Sequence, residues 1–377
     1  MSRVFFYVQS LLGVGHLSRA AAIARALDDA GMAVTFVSGG APAPALDLGR
    51  AEVVQLPPAL AGDASFAQIV DADGRPIDDD WRARRRALLL DAFARAGPRL
   101  VLIELYPFGR RAFRFELLPL LEATIGRRPR PAVACSLRDI LVGKRDPARA
   151  SETVSIVRRC FDRVLVHGDP RLIRLEATFP AAAEIADLVR YTGYVVRAAA
   201  PGAGAAGQGE VLVSAGGGAV GGPLLRAALA ARPLTCLAAA PWRLIGGINM
   251  PEAELASLAR AAPRGVAVER FRADFPTLLG NCRLSVSQGG YNTVMEILAA
   301  RTRAVVVPFA DGAETEQSLR ARLLAERGLL TVAETPAAAP LAAAIDAALE
   351  RAPPASDIDL DGAARTAEIM AELARRR

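Results

Sequence analysis

A glycine-rich loop near the start of the chain is the first candidate for chemistry. It follows an apolar run at Val4–Val8 and reads Gly13-Val14-Gly15-His16-Leu17-Ser18-Arg19. The imidazole of His16 is a candidate general base, and a histidine that caps the following helix is the alternative. The loop lacks the third glycine of the dinucleotide-binding GxGxxG motif, which argues against NAD. Gly13, Gly15 and Arg19 are candidates for binding an acceptor or its phosphate.

Polar side chains also end two later apolar runs of the first half. Glu104 ends the run at 99–105, and Arg138 with Asp139 follows the run at 131–137. Glu104 is a candidate second base or ligand of an acceptor hydroxyl, and Arg138 is a candidate for neutralising a phosphate. An Arg–carboxylate pair that holds the loops together is the alternative. His167 is expected to make a structural hydrogen bond, because Gly-Asp-Pro follows it as a turn.

In the second half, two glycine-rich segments follow apolar runs. They are Ser214-Ala215-Gly216-Gly217-Gly218 and Ser287-Gln288-Gly289-Gly290-Tyr291-Asn292-Thr293. Glycines at a strand-to-helix junction let backbone N–H groups approach a phosphate, and a tight turn is the alternative for the first segment. The GK[ST] of a P-loop is absent, so ATP hydrolysis is not predicted.

Acidic and amide side chains follow the second of these segments. Glu296 lies one or two turns into the helix, where one carboxylate can accept hydrogen bonds from both hydroxyls of a ribose. Glu316 and Gln317 open a later helix and are candidates for binding sugar hydroxyls. Helix capping or solvation explains each residue singly, but their order at successive strand ends favours a binding site.

Short apolar runs that alternate with helical patterns must position these loops, and such runs indicate parallel sheets covered on both faces. The pattern stops at the glycine-rich segment 200–210 and restarts beyond it, with strands predicted among others at Val211–Gly218 and Thr235–Pro241. We predict an α/β protein with two Rossmann-like domains, 1–197 and 210–377, whose sheets face each other across a cleft. Residues 198–209 are the predicted linker, and the final helix is free to pack back on the first domain.

Composition narrows the class of protein. The chain has 377 residues, of which 52% are hydrophobic and 23% charged, and its four cysteines include no CxxC pair. Disorder, a disulfide framework and a zinc site are therefore not predicted. No apolar run reaches the roughly 18–20 residues that span a bilayer, and the first residues do not resemble a signal peptide. A cytoplasmic protein is expected.

The net charge of +6 lies in the first half, with 28 Lys and Arg against 22 Asp and Glu up to Arg197, and 18 against 18 beyond it. Arginine-rich codon composition explains this excess, and an anionic acceptor or membrane surface is the alternative. Few aromatic residues and the lack of a dense basic block argue against a nucleic-acid partner. Arg110 and Arg111 are interpreted as solvated, and contact with an anionic acceptor is the alternative. Asp71-Ala72-Asp73 is interpreted as a solvated loop instead of a metal site.

Together, these segments resemble the MurG-like glycosyltransferases of family 28, which have the GT-B fold. The resemblance spans nearly the whole chain and is strongest from Val211 to Val332. It implies that the second domain binds a nucleotide diphosphate sugar, usually a UDP-sugar, and that the first domain holds the acceptor. The segments that begin at Glu104, Ser136 and Tyr191 are similar to an uncharacterised group of predicted glycosyltransferases within this superfamily.

The resemblance implies a role for each matching residue. Glu296 would hold the ribose, and Phe271 lies in the segment that meets the base with backbone groups. Glu316 and Gln317 occupy the place of a Gln-Gln pair that reads the donor sugar. The diphosphate would be surrounded by Ser214, Gly216, Gly217, Gly218, Ser287, Gly289, Gly290 and Thr293, with Asn292 beside them. The family implies no metal and no cofactor other than the nucleotide-sugar substrate.

We predict an inverting, metal-independent glycosyltransferase in which His16 or Glu104 removes the proton of an acceptor hydroxyl. The loop Gly13–Arg19 is similar to that of MurG-related nucleotide-sugar hydrolases, so a hydrolase in which His16 activates water is one alternative. A protein that binds nucleotide sugars without catalysis is the other. The acceptor is expected to be anionic or lipid-linked, which allows peripheral contact with the inner face of the membrane.

Overall fold

The structure of the chain is a computed structural model that describes residues 2–11, 15–42, 46–62, 68–141, 146–197, 204–217, 220–309 and 315–376. It divides into two compact units. The first comprises residues 1–195 and 358–377, and the second comprises residues 196–357.

The first unit is built on a parallel sheet of seven strands in the order β3-β2-β1-β6-β7-β8-β9. Its strands are β1 (Arg3–Val8), β2 (Ala33–Ser38), β3 (Glu52–Gln55), β6 (Leu100–Glu104), β7 (Ala132–Arg138), β8 (Arg163–His167) and β9 (Val189–Tyr191), and a short antiparallel pair is formed by β4 (Leu60–Ala61) and β5 (Ile69–Val70). Its first four helices are α1 (Gly15–Asp29), α2 (Asp79–Ala96), α3 (Arg114–Gly126) and α4 (Pro147–Cys160).

Helices cover both faces of this sheet, because successive side chains of a strand point to opposite faces. Along β1, Phe5 and Tyr7 belong to the core beneath α2, α3 and α4. Val4, Phe6 and Val8 belong to the core on the opposite face, beneath α1. All five residues are fully or almost fully buried, which explains the uninterrupted apolar run in the sequence.

The second unit repeats this plan with six parallel strands in the order β12-β11-β10-β13-β14-β15. Its strands are β10 (Val211–Ser214), β11 (Trp242–Ile245), β12 (Val266–Glu269), β13 (Leu284–Ser287), β14 (Ala304–Val306) and β15 (Thr331–Val332). Its helices are α5 (Gly222–Ala231), α6 (Glu252–Ala261), α7 (Phe275–Asn281), α8 (Tyr291–Ala300), α9 (Glu316–Glu326) and α10 (Ala338–Glu350).

The last helix, α11 (Gly362–Arg375), packs in the first unit and not in the second. Its Met370 is fully buried in the core beside α1. At its start, the Gly362 N–H donates to the carbonyl of Tyr194 at 3.0 Å. A Cβ at position 362 would lie 2.4 Å from the carbonyl oxygen of Gly193, so only glycine allows this close approach.

The predicted strand at Thr235–Pro241 is wrong. Residues 235–240 form consecutive turns, and the strand is the next segment, β11. The turns are closed by Thr235, whose hydroxyl accepts from the Leu237 N–H at 3.1 Å, while the indole of Trp242 donates to the Leu237 carbonyl at 3.0 Å. The misleading run is rich in alanine, which has little preference for strands, whereas Trp242 and Ile245 are the residue types that a buried strand favours.

Candidate active site

Each sheet reverses its strand order at one place, between β1 and β6 in the first unit and between β10 and β13 in the second. In open α/β sheets, ligands bind beyond the carboxyl ends of the strands at such a switch point. His16 is the second residue of α1, which follows β1, and Glu104 is the last residue of β6. Ser214 and Ser287 end β10 and β13 and are register partners. The sequence candidates therefore gather at both switch points.

At the first switch point, His16 and Glu104 form a hydrogen-bonded pair. The Nδ1 atom of His16 lies 2.7 Å from Oε1 of Glu104, and Nη2 of Arg19 lies 2.5 Å from the same oxygen. The Glu104 side chain is 1% exposed, whereas that of His16 is 20% exposed. The carboxylate is thus fixed in the interior, and the imidazole retains access to a small molecule.

The protonation states of this pair follow from its surroundings. Burial lowers the pKa of His16 from its ordinary 6.5; Glu104 opposes this shift, and Arg110 and Arg19 add to it. Burial alone would raise the pKa of Glu104, but His16, Arg19 and Arg110 together lower it to about 2. At neutral pH the pair is therefore a carboxylate beside a neutral imidazole.

This arrangement decides which ring nitrogen of His16 can act as a base. Nδ1 lies 2.7 Å from Glu104, an ionised carboxylate that only accepts hydrogen bonds, and 3.3 Å from the Arg19 Nη2 donor. We assign the ring proton to Nδ1 because the shorter contact requires a donor there. The Nε2 atom then keeps a lone pair that can accept a proton from a substrate. Glu104 orients the imidazole and stabilises its protonated form, which is a different role from that of a second base.

The loop that follows Glu104 has an unusual backbone. Leu105 has φ of +67° and Arg110 has φ of +60°, a left-handed conformation that is uncommon for residues other than glycine. The Leu105 N–H donates to the Ser136 carbonyl at 2.8 Å and the Gly109 N–H to the Leu105 carbonyl at 2.9 Å, so hydrogen bonds hold this turn. Backbone strain of this kind is concentrated at functional sites.

Arg110 is not solvated as the sequence suggested. It is half-buried, and its Nε donates to the carbonyl of Gln9 at 2.9 Å. The charges of Glu104, Arg138 and Arg19 all act on it, which places these groups in one electrostatic neighbourhood. Its neighbour Arg111 is also engaged, in an ion pair with Glu152. The sequence favoured a solvated Arg110, with contact to an anionic acceptor as the alternative, because an arginine in a loop is usually exposed to water.

The other polar side chains at or near the strand ends of this unit make hydrogen bonds within the unit. The His167 ring nitrogens lie 2.7 Å from the Ser136 hydroxyl and 2.9 Å from that of Thr192. Burial lowers the pKa of His167 to about 3, so this histidine stays neutral. The Tyr194 hydroxyl donates to Asp139 at 2.8 Å. His167 is structural, as expected, and His16 is left as the histidine that can act as a base.

A cavity of about 630 Å³ opens beside the loop that follows Glu104. Pro107, Phe108, Leu141 and Phe179 are among the side chains that line it. The rings of Phe108 and Phe179 meet edge to face with centroids 5.2 Å apart. Its size and apolar lining are typical of a site for a small organic molecule.

At the second switch point, two serine hydroxyls are buried without a partner. The side-chain oxygens of Ser214 and Ser287 make no hydrogen bond in the described structure, although these residues are 4% and 0% exposed. Buried hydroxyls are normally paired, because an unsatisfied hydroxyl costs about 1–3 kcal/mol. Gly216 turns the chain after β10 with φ of +70°, and the Gly217 carbonyl accepts from the Asn249 amide at 2.7 Å.

The start of α8 adds backbone donors beside these hydroxyls. Gly290 precedes the helix, no side chain caps it, and its first turn contains no acidic residue. The first N–H groups of a helix and its dipole favour an anion at this end. A Cβ at Gly289 would meet Gln317 and Val306 at 3.2 Å, so glycine lets the turn pack closely. Asn292 and Thr293 lie in the first turn and are half-buried.

Glu296, in the second turn of α8, is mostly buried with a side chain that is 13% exposed. Its Oε1 lies 3.6 Å from Nε of Arg197, which is 44% exposed. Burial raises the pKa of Glu296, and Arg197 acts against this shift. Arg197 did not stand out in the sequence, because no motif includes it and the contact joins residues nearly 100 positions apart.

The other predicted donor residues are placed differently. Glu316 is buried and pairs with Arg320 at 2.7 Å within α9, and the side-chain oxygen of Gln317 accepts from the Phe309 N–H at 3.1 Å. Phe271 is 54% exposed after β12. The structure thus engages Glu316 and Gln317 inside the unit. Gly13 and Gly218 lie outside the described residues.

Neither a metal site nor a membrane-spanning helix is found in the described parts of the chain. No group of three or more His, Cys, Asp or Glu side chains there could hold a metal ion. Among the same residues, no helix combines the length and apolar character needed to cross a membrane.

Residues 227–357 match the glycosyltransferase family 28 C-terminal domain. This range covers most of the second unit, including α8 and the residues from Ser287 to Gln317. The sequence-based identification of a MurG-like glycosyltransferase is thereby confirmed at the level of its family-28 domain. A comparison with curated proteins finds no significant match.

Solved structures with the same fold span the whole chain. The calicheamicin glycosyltransferase CalG4 is 17% identical with a TM-score of 0.58, over 100% of this chain and 94% of the other. MurG of Acinetobacter baumannii is 14% identical with a TM-score of 0.57, over 99% and 100%. The spinosyn rhamnosyltransferase SpnG in complex with thymidine diphosphate is 16% identical with a TM-score of 0.58, over 100% and 96%. These likenesses confirm the predicted GT-B fold with its two Rossmann-like domains.

Proposed function

We propose that this protein is an inverting glycosyltransferase that moves a hexosyl group from a nucleotide diphosphate sugar, most simply a UDP-sugar, to a hydroxyl acceptor. The observation that carries the proposal is the pair formed by His16 and Glu104. A neutral imidazole, oriented by a buried carboxylate at a switch point, is equipped to take a proton from a hydroxyl.

In the proposed reaction, the acceptor oxygen attacks the anomeric carbon as its proton passes to Nε2 of His16. The bond between the anomeric carbon and the diphosphate oxygen breaks, and the nucleoside diphosphate leaves with the electron pair. Glu104 stabilises the imidazolium that forms, because its negative charge lies 2.7 Å from Nδ1. Attack opposite the leaving group inverts the configuration at the anomeric carbon.

The donor site is proposed at the second switch point. The Ser214 and Ser287 hydroxyls have no partner in the described structure and can donate to the diphosphate, while the N-terminus of α8 supplies further donors. These groups stabilise the charge of the leaving diphosphate, so we propose a reaction without a metal or other cofactor. Glu296 accepts from the ribose hydroxyls in place of its contact with Arg197.

The acceptor site is proposed in the first unit. The cavity lined by Phe108 and Phe179 is suited to the apolar part of an acceptor. The same unit holds Gly15 and Arg19 at the start of α1 and Arg138 at the end of β7. The proposal places the reaction in the cytoplasm, with an acceptor that is free or lipid-linked at the inner face of the membrane.

Binding of nucleotides tests the donor site. Calorimetric titration with UDP, dTDP, GDP and CMP sugars should give a saturable signal for one series. Replacing Glu296 by Gln removes a charged acceptor of hydrogen bonds and should weaken that binding about tenfold or more. Glu326→Gln is the control, because its carboxylate is 62% exposed at the far end of α9. Equal affinity in the wild type and Glu296→Gln would contradict the proposed donor site.

Product analysis tests the reaction class. With the identified donor and a library of hydroxyl acceptors, the proposal expects a glycosylated product and free nucleoside diphosphate in equal amounts. Free sugar released at an undiminished rate with every acceptor would favour the nucleotide-sugar hydrolase, in which His16 activates water. Binding without any turnover would favour a non-catalytic protein.

A further inference from the structure

The proposed proton transfer leaves Arg110 without a role. Its backbone has φ of +60°, a conformation that costs an arginine free energy and persists where its surroundings enforce it. The Nε atom is anchored by its hydrogen bond to the Gln9 carbonyl at 2.9 Å. The backbone turn and this anchor together hold the guanidinium in one place.

The two terminal nitrogens of Arg110 are available for a ligand. No described residue accepts a hydrogen bond from Nη1 or Nη2, although the residue is half-buried. Because Arg110 is half-buried, part of its hydration shell is lost, and this burial lowers the pKa of Arg110. A partly dehydrated guanidinium gains most from an oxyanion, because its forked N–H groups match two oxygens.

The charges around Arg110 favour an anion as well. Arg110 acts on His16, and Glu104, Arg138, Tyr7 and Arg19 act on Arg110. With His16 neutral and the Tyr7 phenol protonated, these groups comprise three guanidinium ions and one carboxylate. The surplus of two positive charges creates a field that attracts a negative group to the vicinity of the base.

We propose that Arg110 binds an oxyanion, a phosphate or a carboxylate, that the acceptor carries close to the hydroxyl it presents to His16. This inference rests on the proposed function and names the acceptor class: an anionic alcohol, such as a sugar phosphate or a hydroxy acid. Arg110 is then a specificity residue, and neutral analogues of the acceptor bind poorly.

The histidine content of the chain provides a local probe. His16 and His167 are the only two histidines, so labelling with isotopic histidine gives two imidazole signals in NMR spectra. His167 is fully buried and both of its ring nitrogens are hydrogen-bonded, which makes it an internal reference for the fold. Methyl phosphate and acetate are titrated separately into the full chain at constant ionic strength.

The proposal expects a saturable shift of the His16 signal with at least one of the two anions and an unchanged His167 signal. Arg110→Gln should weaken this binding about tenfold or more, because charged hydrogen bonds are lost. Arg110→Asn is the second variant, since asparagine tolerates the left-handed backbone. Arg84→Gln is the matched control and should leave the affinity unchanged, because Arg84 is exposed on α2. Saturation by methyl phosphate alone identifies a phosphate acceptor, and saturation by acetate alone a carboxylate.

Three results would overturn the inference. The first is the absence of saturable anion binding in the wild type. The second is an equal anion affinity in the wild type and both Arg110 variants. The third is an equal loss of nucleoside diphosphate affinity in these variants, which would assign Arg110 to the donor. If nucleotide sugars still bind through Glu296 and are turned over, the proposed function survives such a failure. An anion site at Arg110 in a protein that transfers no sugar would overturn the proposed function alone.

Discussion

Two buried glutamates of the first unit, Glu116 and Glu104, differ in how completely they are paired. Both oxygens of Glu116 are used: Oε1 accepts from the Tyr7 hydroxyl at 2.5 Å, and Arg85 donates to Oε1 and Oε2 at 3.1 and 2.8 Å. Glu104 uses only Oε1, for His16 and Arg19, while Oε2 is buried without a partner in the described structure.

The difference separates a structural network from a reactive one. Arg85 is itself enclosed, because it also donates to Gly39 and Gln9 and lies over the rings of Trp81 and Phe113. Glu116 lies within α3, whereas Glu104 lies at the carboxyl end of a strand beside the switch point. A closed network rigidifies the core, and a partly open one at a strand end leaves capacity for a substrate. The two networks share Gln9, whose side chain contacts Arg85 and whose carbonyl holds Arg110.

The largest expected effect concerns His16. His16→Gln should lower the rate of glycosyl transfer by about 10²–10⁴-fold, the usual contribution of a general base. The ion pair between Glu104 and Arg19 does not depend on His16, so thermal unfolding should move little, and nucleotide affinity should persist. Steady-state kinetics, calorimetry and thermal unfolding of the same preparation check these three expectations. A variant that retains its rate would remove His16 from the reaction.

Glu116→Gln should produce the opposite pattern. The uncompensated Arg85 charge in the core should cost about 3–5 kcal/mol of unfolding free energy, as broken buried ion pairs do. For a unit of this size, that corresponds to a fall in melting temperature of roughly 10 °C. Glu122→Gln on the same helix is the control, because Glu122 is exposed. Loss of activity in folded Glu116→Gln at low temperature would erase the distinction between the two glutamates.

The pH dependence of kcat/KM should report the ionisation of His16 in its network with Glu104. The base acts when it is deprotonated, so kcat/KM should rise with pH and level off above the pKa of His16, which burial holds below 6.5. In Glu104→Gln this midpoint should move further down, because Glu104 raises the pKa of His16. Measurement of kcat/KM from pH 5 upward in the wild type and in Glu104→Gln checks both directions. A midpoint above 6.5 in the wild type would contradict this account.

The smallest expected effect concerns the contact between Arg197 and Glu296. If the ribose replaces this contact, Arg197→Ala should tighten nucleotide binding by about two- to fivefold, since partly exposed ion pairs contribute about 0–1 kcal/mol. Calorimetry with the nucleotide series that binds the wild type measures this change. Arg322→Ala is the control, because Arg322 is 68% exposed in α9. Weaker binding in Arg197→Ala would show that Arg197 holds the donor instead of competing with it.

Sequence by itself determined the architecture of this protein. Uninterrupted apolar runs such as Val4–Val8 identify strands that are buried on both faces, and the alternation with helices identifies parallel sheets. The loop with His16 and the segment from Ser287 to Glu296 were located because glycines and polar residues directly follow those strands. The family-28 resemblance in the second half rests on the same residues. At Thr235–Pro241 the apolar criterion failed, because alanine and leucine also fill turns over a core.

Only the tertiary structure decided which of these residues act together. His16 and Glu104 are 88 positions apart, and they meet because β1 pairs with β6 at the switch point. Tertiary folding also left Arg110 half-buried and placed Arg197 against Glu296. Within α9, it paired Glu316 with Arg320. A sequence records the type of each side chain, but its protonation, partners and exposure depend on which distant strands become neighbours.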